Sequence, residues 1–248
     1  MSPNALQSYQ TDLLIQAEQV GALKFGQFTL KSGRYAPIAR PWCHDVTRSP
    51  PRSTRISPYF FNAGLMSSGK ILDTIANAYA ATIVGALDAC TIPAFDVMFG
   101  PAYKGIALAA CTTLVLSAKY GRSYGFAYDR KEAKDHGEGG KLVGVPVQGK
   151  KVLILDDVMT AGTAVRSAIE SIQAAGGEVV GVIQLLDREE KGKDGGSTVE
   201  EVEGIVGGKG RVLSVLKMRT LMAWLEQNGQ ADILDRMWVY WDEYGWKA

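Results

Sequence analysis

The chain has 248 residues, of which 46% are hydrophobic and 21% charged, as expected of one globular domain or one domain with a cap. Lys plus Arg (27) nearly balances Asp plus Glu (26), for a formal charge of +1. So even a balance gives no general reason to coat nucleic acid or an anionic membrane, and any anion must meet a local site. Three Cys without CxxC spacing and two His argue against a disulfide framework and a His-rich metal centre.

Met1 to Gln19 is polar and periodic and has no apolar h-region, so it does not read as a secretory signal. Leu6, Leu13, Leu14, Ala17 and Val20 recur at helical spacing over residues 5–22. Phe25 to Leu30 alternates like a strand and runs into Lys31-Ser32-Gly33-Arg34. A helix is predicted over 68–88. The most apolar stretch, Ile75 to Phe95, is broken by Asn77, Asp88 and Pro93. It reads as a buried helix entering a strand and not as a membrane span. With no targeting signal, a cytoplasmic location is expected. Phe95 to Phe99 is a short strand stopped by Gly100-Pro101, and Gly105 to Ala118 suits a packed helix. Ser123 to Tyr128 reads as a strand. Val152 to Leu155 has the unbroken aliphatic character of a strand buried on both faces. A helix over Thr163 to Ala175, a strand over Val179 to Leu186, a last strand over Val212 to Leu216 and helices near 218–228 and 230–241 follow. This alternation predicts an α/β fold, a central parallel sheet flanked by helices. Residues 189–210, rich in Gly, Lys and Glu, read as a mobile excursion.

The strongest chemical signal is Val152-Leu153-Ile154-Leu155-Asp156-Asp157-Val158-Met159-Thr160-Ala161-Gly162-Thr163-Ala164. A buried strand delivers two carboxylates to its C-terminal edge, where open α/β sheets bind ligands. A Thr- and Gly-containing loop then opens a helix, whose first N–H groups suit a phosphate. The carboxylates suit a ribose diol or, through water, magnesium. The bland alternative is a strand-turn-helix with Asp and Thr as caps. Neither GxxxxGK[ST] nor GxGxxG occurs. The second signal is Tyr128 to Gly140, YDRKEAKDHGEGG, in which Arg130, Lys131, Lys134 and His136 crowd into seven residues flanked by glycines. Such a run suits a moving lid over a pyrophosphate leaving group, and on composition alone a solvated loop.

The Asp156 string closely resembles the phosphoribosyl-pyrophosphate (PRPP) signature of type I phosphoribosyltransferases. RKEAKDHGEGG resembles the catalytic loop of the orotate phosphoribosyltransferases within that family, and the likeness extends from about Leu6 to Leu225, closest to the fungal form. The resemblance implies the type I fold with a small N-terminal hood over the base, over a single domain 1–248. It implies magnesium-dependent transfer of phosphoribosyl from PRPP to orotate, giving orotidine 5′-monophosphate and pyrophosphate for pyrimidine synthesis. Asp156 and Asp157 would hold the ribose hydroxyls, and Met159, Thr160, Ala161, Gly162 and Thr163 the 5-phosphate, with Val158 and Ala164 also in the PRPP site. Tyr103 and Lys104, in FGPAYKG, would meet pyrophosphate. Arg130, Lys131, Lys134 and His136 would act catalytically, Lys134 foremost. Phe60 and Phe61 of SPYFFN, Thr160, Arg188 and Lys31 would bind orotate, and Lys31 would also touch PRPP. Magnesium would ride mainly on PRPP, with no direct protein ligand and water contacts to Asp156 or Asp157. The 129–140 loop would be shared across a homodimer. Two alternatives stay open: a purine-base phosphoribosyltransferase and a PRPP-sensing protein without catalysis.

Residues 35–55, YAPIARPWCHDVTRSPPRSTR, interrupt the pattern, with 4 of the chain's 9 Pro and four Arg against one Asp. Deleting them joins KSGR to ISPYFFNAG, the family's ungapped sequence. The insert is a whole number of codons and its edges are compatible with splice signals, so it reads as a translated intron or a lineage-specific loop. A long loop costs little closure entropy, and the insert is expected to be poorly ordered.

Overall fold

The apolar runs that alternate with helices from residue 97 onward become strands of one six-stranded sheet. The computed structural model describes residues 6–30, 55–134, 140–192 and 195–247. In chain order it contains α1 (Ser8–Gln19), β1 (Leu23–Leu30), β2 (Arg55–Phe61), α2 (Gly69–Asp88), β3 (Val97–Gly100), α3 (Lys104–Tyr120), β4 (Gly125–Lys134), β5 (Gly140–Gly144), β6 (Lys151–Asp156), α4 (Thr163–Ala174), β7 (Glu178–Asp187), α5 (Thr198–Ile205), β8 (Val212–Lys217), α6 (Met218–Gln227) and α7 (Ala231–Tyr244). The sheet order is β5-β4-β3-β6-β7-β8.

The strands lack a polar face because side chains alternate into two cores. Met98, Leu153, Leu155, Ile183 and Leu185 meet α2, α3 and α6 on one side. Val97, Phe99, Val152, Ile154 and Val182 meet α4 and α5 on the other. Each fully buried aliphatic side chain stabilises the fold by roughly 1.5–3 kcal/mol.

Two sequence expectations change. The sheet is parallel from β4 to β8, but β5 runs antiparallel to β4. Lys134 pairs with Gly140, and so short a return can only produce an antiparallel neighbour. The 189–210 segment, expected as an excursion, contains α5. Val202 and Val206 are buried against the second core, the Ser197 side chain accepts the Glu200 N–H at 3.3 Å, and Glu200 and Glu201 lie in the first turn, where negative charge is favoured.

The hood is the antiparallel pair β1–β2, with Leu30 opposite Arg55. The two ends of the intervening segment therefore meet across one ladder. Apart from Arg55, residues 35–55 lie outside the described residues. Phe25 of the hood stacks on Trp224 at 6.3 Å. The C-terminal tryptophans serve different contacts: Trp238 meets Trp241 edge-on at 5.9 Å, while the Trp246 indole donates to Glu200 Oε1 at 3.3 Å.

Candidate active site

The strand order reverses between β3 and β6. From β3 the chain passes through α3 to β4 on one side, and from β6 through α4 to β7 on the other. Such a switch point opens a crevice at the carboxyl ends of the strands, and the expected phosphate-handling groups collect there.

Asp156 ends β6 and is 9% exposed. The Tyr79 hydroxyl donates to its carbonyl at 2.6 Å, and the Asp157 N–H donates to its Oδ1 at 2.9 Å. Burial, and then the charge of Asp157, push the Asp156 carboxyl up to about 6. Asp157 is instead paired with Lys104 at the start of α3, an ion pair that spans the crevice. The approach is close because the second residue of α3 is Gly105, where a Cβ would lie 2.9 Å from the Leu155 carbonyl oxygen.

The loop after Asp157 is tied down from below. Leu185 and Leu186 donate to the Asp157 carbonyl at 2.9 and 3.1 Å. The Met159 N–H donates to Oε1 of the fully buried Gln184 at 3.0 Å. Gly162 adopts φ +69°, left-handed backbone that favours glycine. α4 starts at Thr163 with no side-chain cap, so its first N–H groups and its positive dipole end face an open position. Thr160 and Thr163 are exposed there. This is an anion cradle beside two carboxylates.

The lid base joins the same crevice. The buried Asp129 on β4 accepts the Ala102 N–H at 2.6 Å. Lys131 Nζ lies 5.6 Å from the centroid of the Tyr103 ring. Arg130 is partly buried one residue before it. Lys134 is placed only as the end of β4, and Lys31 and His136 lie outside the described residues.

Arg188 follows β7 at the other end of the site, with its side chain 12% exposed. Its Nε donates to Glu190 Oε1 at 2.9 Å and its Nη2 to Ser57 Oγ at 3.0 Å. The guanidinium lies 4.5 Å over the Tyr59 ring. Burial acts to lower its pKa, but Tyr59, Glu190 and Tyr240 outweigh that and hold it above the usual arginine value, hence cationic. The Tyr240 hydroxyl of α7 donates to the same Glu190 Oε1 at 2.7 Å. Glu189, at φ +48°, is clamped by Arg219, whose N, Nε and Nη2 reach it at 3.0, 2.9 and 2.6 Å.

Phe60 and Phe61 do not share a face. Alternation along β2 buries Phe61 with Tyr59 and Ser57, while Phe60 stays 38% exposed and stacks on Phe28 at 5.6 Å. The hood segment meets Arg188 through Ser57 and Tyr59, which the sequence reading did not single out. Gln184 is a further site residue beyond the expected set, signalled in the sequence by one polar residue inside the apolar run VVGVIQLL. A cavity of about 320 Å³ adjoins Arg188 and the loop after Asp157, lined by Met159, Thr160, Arg188, Thr198, Glu203 and Lys217 among others. That is small-molecule size.

The family model described as Phosphoribosyl transferase domain matches residues 71–207. The chain is 43% identical over 241 residues to an orotate phosphoribosyltransferase of Nitrosococcus oceani, covering 97% of each. It is also 43% identical over 243 residues to that of Thioalkalivibrio sulfidiphilus, covering 97% of this chain and 100% of the relative. Among solved structures it resembles the orotate phosphoribosyltransferase of Francisella tularensis, with TM-score 0.76, 34% identity and coverage of 94% and 99%. A Mycobacterium tuberculosis orotate phosphoribosyltransferase solved in complex with PRPP matches with TM-score 0.55 at 21% identity, covering 86% of this chain and 99% of that one, a likeness of fold. These relatives are bacterial, and the expected closeness to a fungal form finds no support in them.

Proposed function

The chain belongs to the orotate phosphoribosyltransferase family, and from that premise we propose how its residues divide the work of joining orotate to PRPP. The activity is transfer of phosphoribosyl to orotate, a step of pyrimidine biosynthesis. The observation that carries the division of roles is the juxtaposition of the Asp156–Asp157 pair, the uncapped start of α4 and Lys104 across one crevice.

In this reading Asp156 and Asp157 accept hydrogen bonds from the ribose hydroxyls, and the Met159–Thr163 backbone holds the 5-phosphate. Lys104 leaves Asp157 for the pyrophosphate, beside Tyr103. Arg188 takes the orotate carboxylate; Glu190, Ser57 and Tyr59 fix its guanidinium, so orientation is settled before substrate arrives. Thr160 and the hood close over the base, with Lys31 and Phe61 on that side. Arg130, Lys131, Lys134 and His136 close from the lid onto the leaving group. The bond from C1 of the ribose to pyrophosphate loosens, positive charge develops on the ribose, and orotate N1 attacks from the opposite face. No protein nucleophile is required, since positioning and electrostatics carry the rate.

Among the described residues no group of three or more His, Cys, Asp or Glu side chains stands ready to hold a metal. The donor set present, one buried carboxylate and one already paired with Lys104, suits magnesium held through water. Magnesium bound mainly to PRPP would neutralise pyrophosphate oxygens. The proposal also makes the chain a homodimer sharing the 129–140 loop, in the cytoplasm. Among the described residues no helix is long and apolar enough to cross a membrane.

The insert is proposed to be a tolerated loop, because Arg55, its last residue, and Leu30, shortly before it, are ladder partners. The test is orotate consumption with PRPP and magnesium, run on the full chain and on a chain lacking residues 35–55. Turnover by both is expected. Turnover by the shortened chain alone would make the insert a defect, and PRPP binding without orotate consumption by either would overturn the functional reading.

A further inference from the structure

We propose that α5 and Arg166 form an outer brace that aims the N–H groups of the phosphate loop, making Arg166 and Thr198 positioning residues for PRPP. The inference rests on the reading that the Met159–Thr163 loop holds the 5-phosphate. A trans peptide points its C=O and its N–H in opposite directions. The Thr198 hydroxyl donates to the Thr160 carbonyl at 3.2 Å, so the Ala161 N–H turns the other way. Arg166 Nη2 donates to the Ala161 carbonyl at 2.5 Å, so the Gly162 N–H turns likewise. The Met159 N–H is already taken by Gln184. The donors of Ala161, Gly162 and Thr163 have no protein acceptor among the described residues.

The brace is anchored outside the loop. Arg166 Nη1 meets Glu201 Oε2 on α5 at 2.9 Å, so one guanidinium ties α5 to the loop. Gly162 fits between its two arms. A Cβ there would sit 3.0 Å from Thr198 Cγ2 and 3.2 Å from Arg166 Nη2. The Arg166 and Glu201 side chains are 35% and 49% exposed, and exposed ion pairs add little to stability. The arrangement therefore acts on loop placement and hardly on folding.

The test compares Arg166→Met, Arg166→Lys, Thr198→Val and Thr163→Ala in the full chain. PRPP and orotate constants are measured by steady-state kinetics, PRPP binding by calorimetry, and Tm alongside. Arg166→Met is expected to weaken PRPP about tenfold, the scale of one lost charge-assisted hydrogen bond. Thr198→Val should weaken it roughly threefold, the scale of a neutral one. Orotate KM and Tm should stay near their starting values. Arg166→Lys keeps the charge and loses the fork, and should remain impaired. A PRPP constant within about twofold of the parent in Arg166→Met overturns the brace. Full recovery in Arg166→Lys also does so, by making the effect one of charge, as does a fall in Tm that carries both substrates' constants with it. Thr163→Ala separates the two readings. If it weakens PRPP while Arg166→Met does not, the loop keeps its role and only the brace falls. If Thr163→Ala binds PRPP normally, the 5-phosphate reading itself fails.

Discussion

The proposed phosphate end of the site is one continuous stretch of chain, and the proposed base end is assembled from three. β6, its loop and the start of α4 deliver Asp156, Asp157 and the cradle within residues 152–164. Arg188 is instead held by Ser57, 131 residues away, and shares Glu190 with Tyr240, 50 residues beyond Glu190. The first end is preorganised by local backbone geometry, the second by packing of the hood and α7 against the end of β7. The two should fail differently. Damage to the phosphate end should cost activity at little cost in stability, and damage to the base end should cost both.

Arg188→Met gives the largest expected effect. It removes the cation facing Glu190, whose side chain is 9% exposed. Removing one partner of a buried ion pair costs about 3–5 kcal/mol. Thermal unfolding should show the loss, and orotate KM should rise even in the fraction that folds. Asp157→Asn should instead keep Tm near the parent, since its Lys104 partner is 55% exposed and such pairs add little. Its kcat/KM for PRPP should fall roughly a hundredfold, the scale of two weakened charge-assisted hydrogen bonds. Initial rates at varied PRPP decide this; a comparable fall in Tm would erase the distinction between the ends.

The Asp156 carboxyl sharpens the same contrast through pH. Its folded value, about 6, lies above the ordinary 3.8. The folded state therefore binds the extra proton between those values, and the unfolded state does not. Linkage makes this group's contribution to stability fall as pH rises from about 4 to about 6, by roughly 2 kcal/mol. Asp156→Asn should flatten that part of the Tm–pH profile and be the more stable protein at pH 7. The parent's PRPP affinity should decline below about pH 6, because only the ionised carboxylate accepts both ribose hydroxyls. An unchanged slope in the variant would remove Asp156 as its source.

The contrast also marks what the sequence could carry. The Val152–Ala164 string was legible because strand, turn and helix start are each written in neighbouring residues: an aliphatic run, paired carboxylates, and a glycine where φ is positive. Arg188 was legible only through family resemblance, since nothing adjacent to it names Ser57, Tyr59 or Tyr240. α5 was hidden because Val199, Val202 and Val206 keep helical spacing inside a Gly-rich setting that reads as loop. Phe60 and Phe61 were grouped as one feature, although neighbours on a strand face opposite sides. That rule was available once residues 55–61 were seen as a strand, which Pro58 and the interrupting insert obscured.

Tyr240→Phe is the smallest change and the narrowest test. It deletes one hydroxyl from a residue that is 4% exposed and leaves the ring in place. Glu190 Oε1 then loses one of the donors that fix it, and the guanidinium can swing away from the Tyr59 face. Losing one buried hydrogen bond costs about 1 kcal/mol, so orotate KM should rise roughly fivefold. PRPP KM should not move, because Tyr240 acts on Arg188 through Glu190, away from the Asp157–Thr163 loop. Tyr240→Leu, which also removes the ring packed on Tyr244 at 4.9 Å, should lower Tm as well. Equal rises in both substrate constants for the Phe variant would mean that α7 supports the whole crevice. A rise for orotate alone ties the C-terminal helix to base recognition through Glu190.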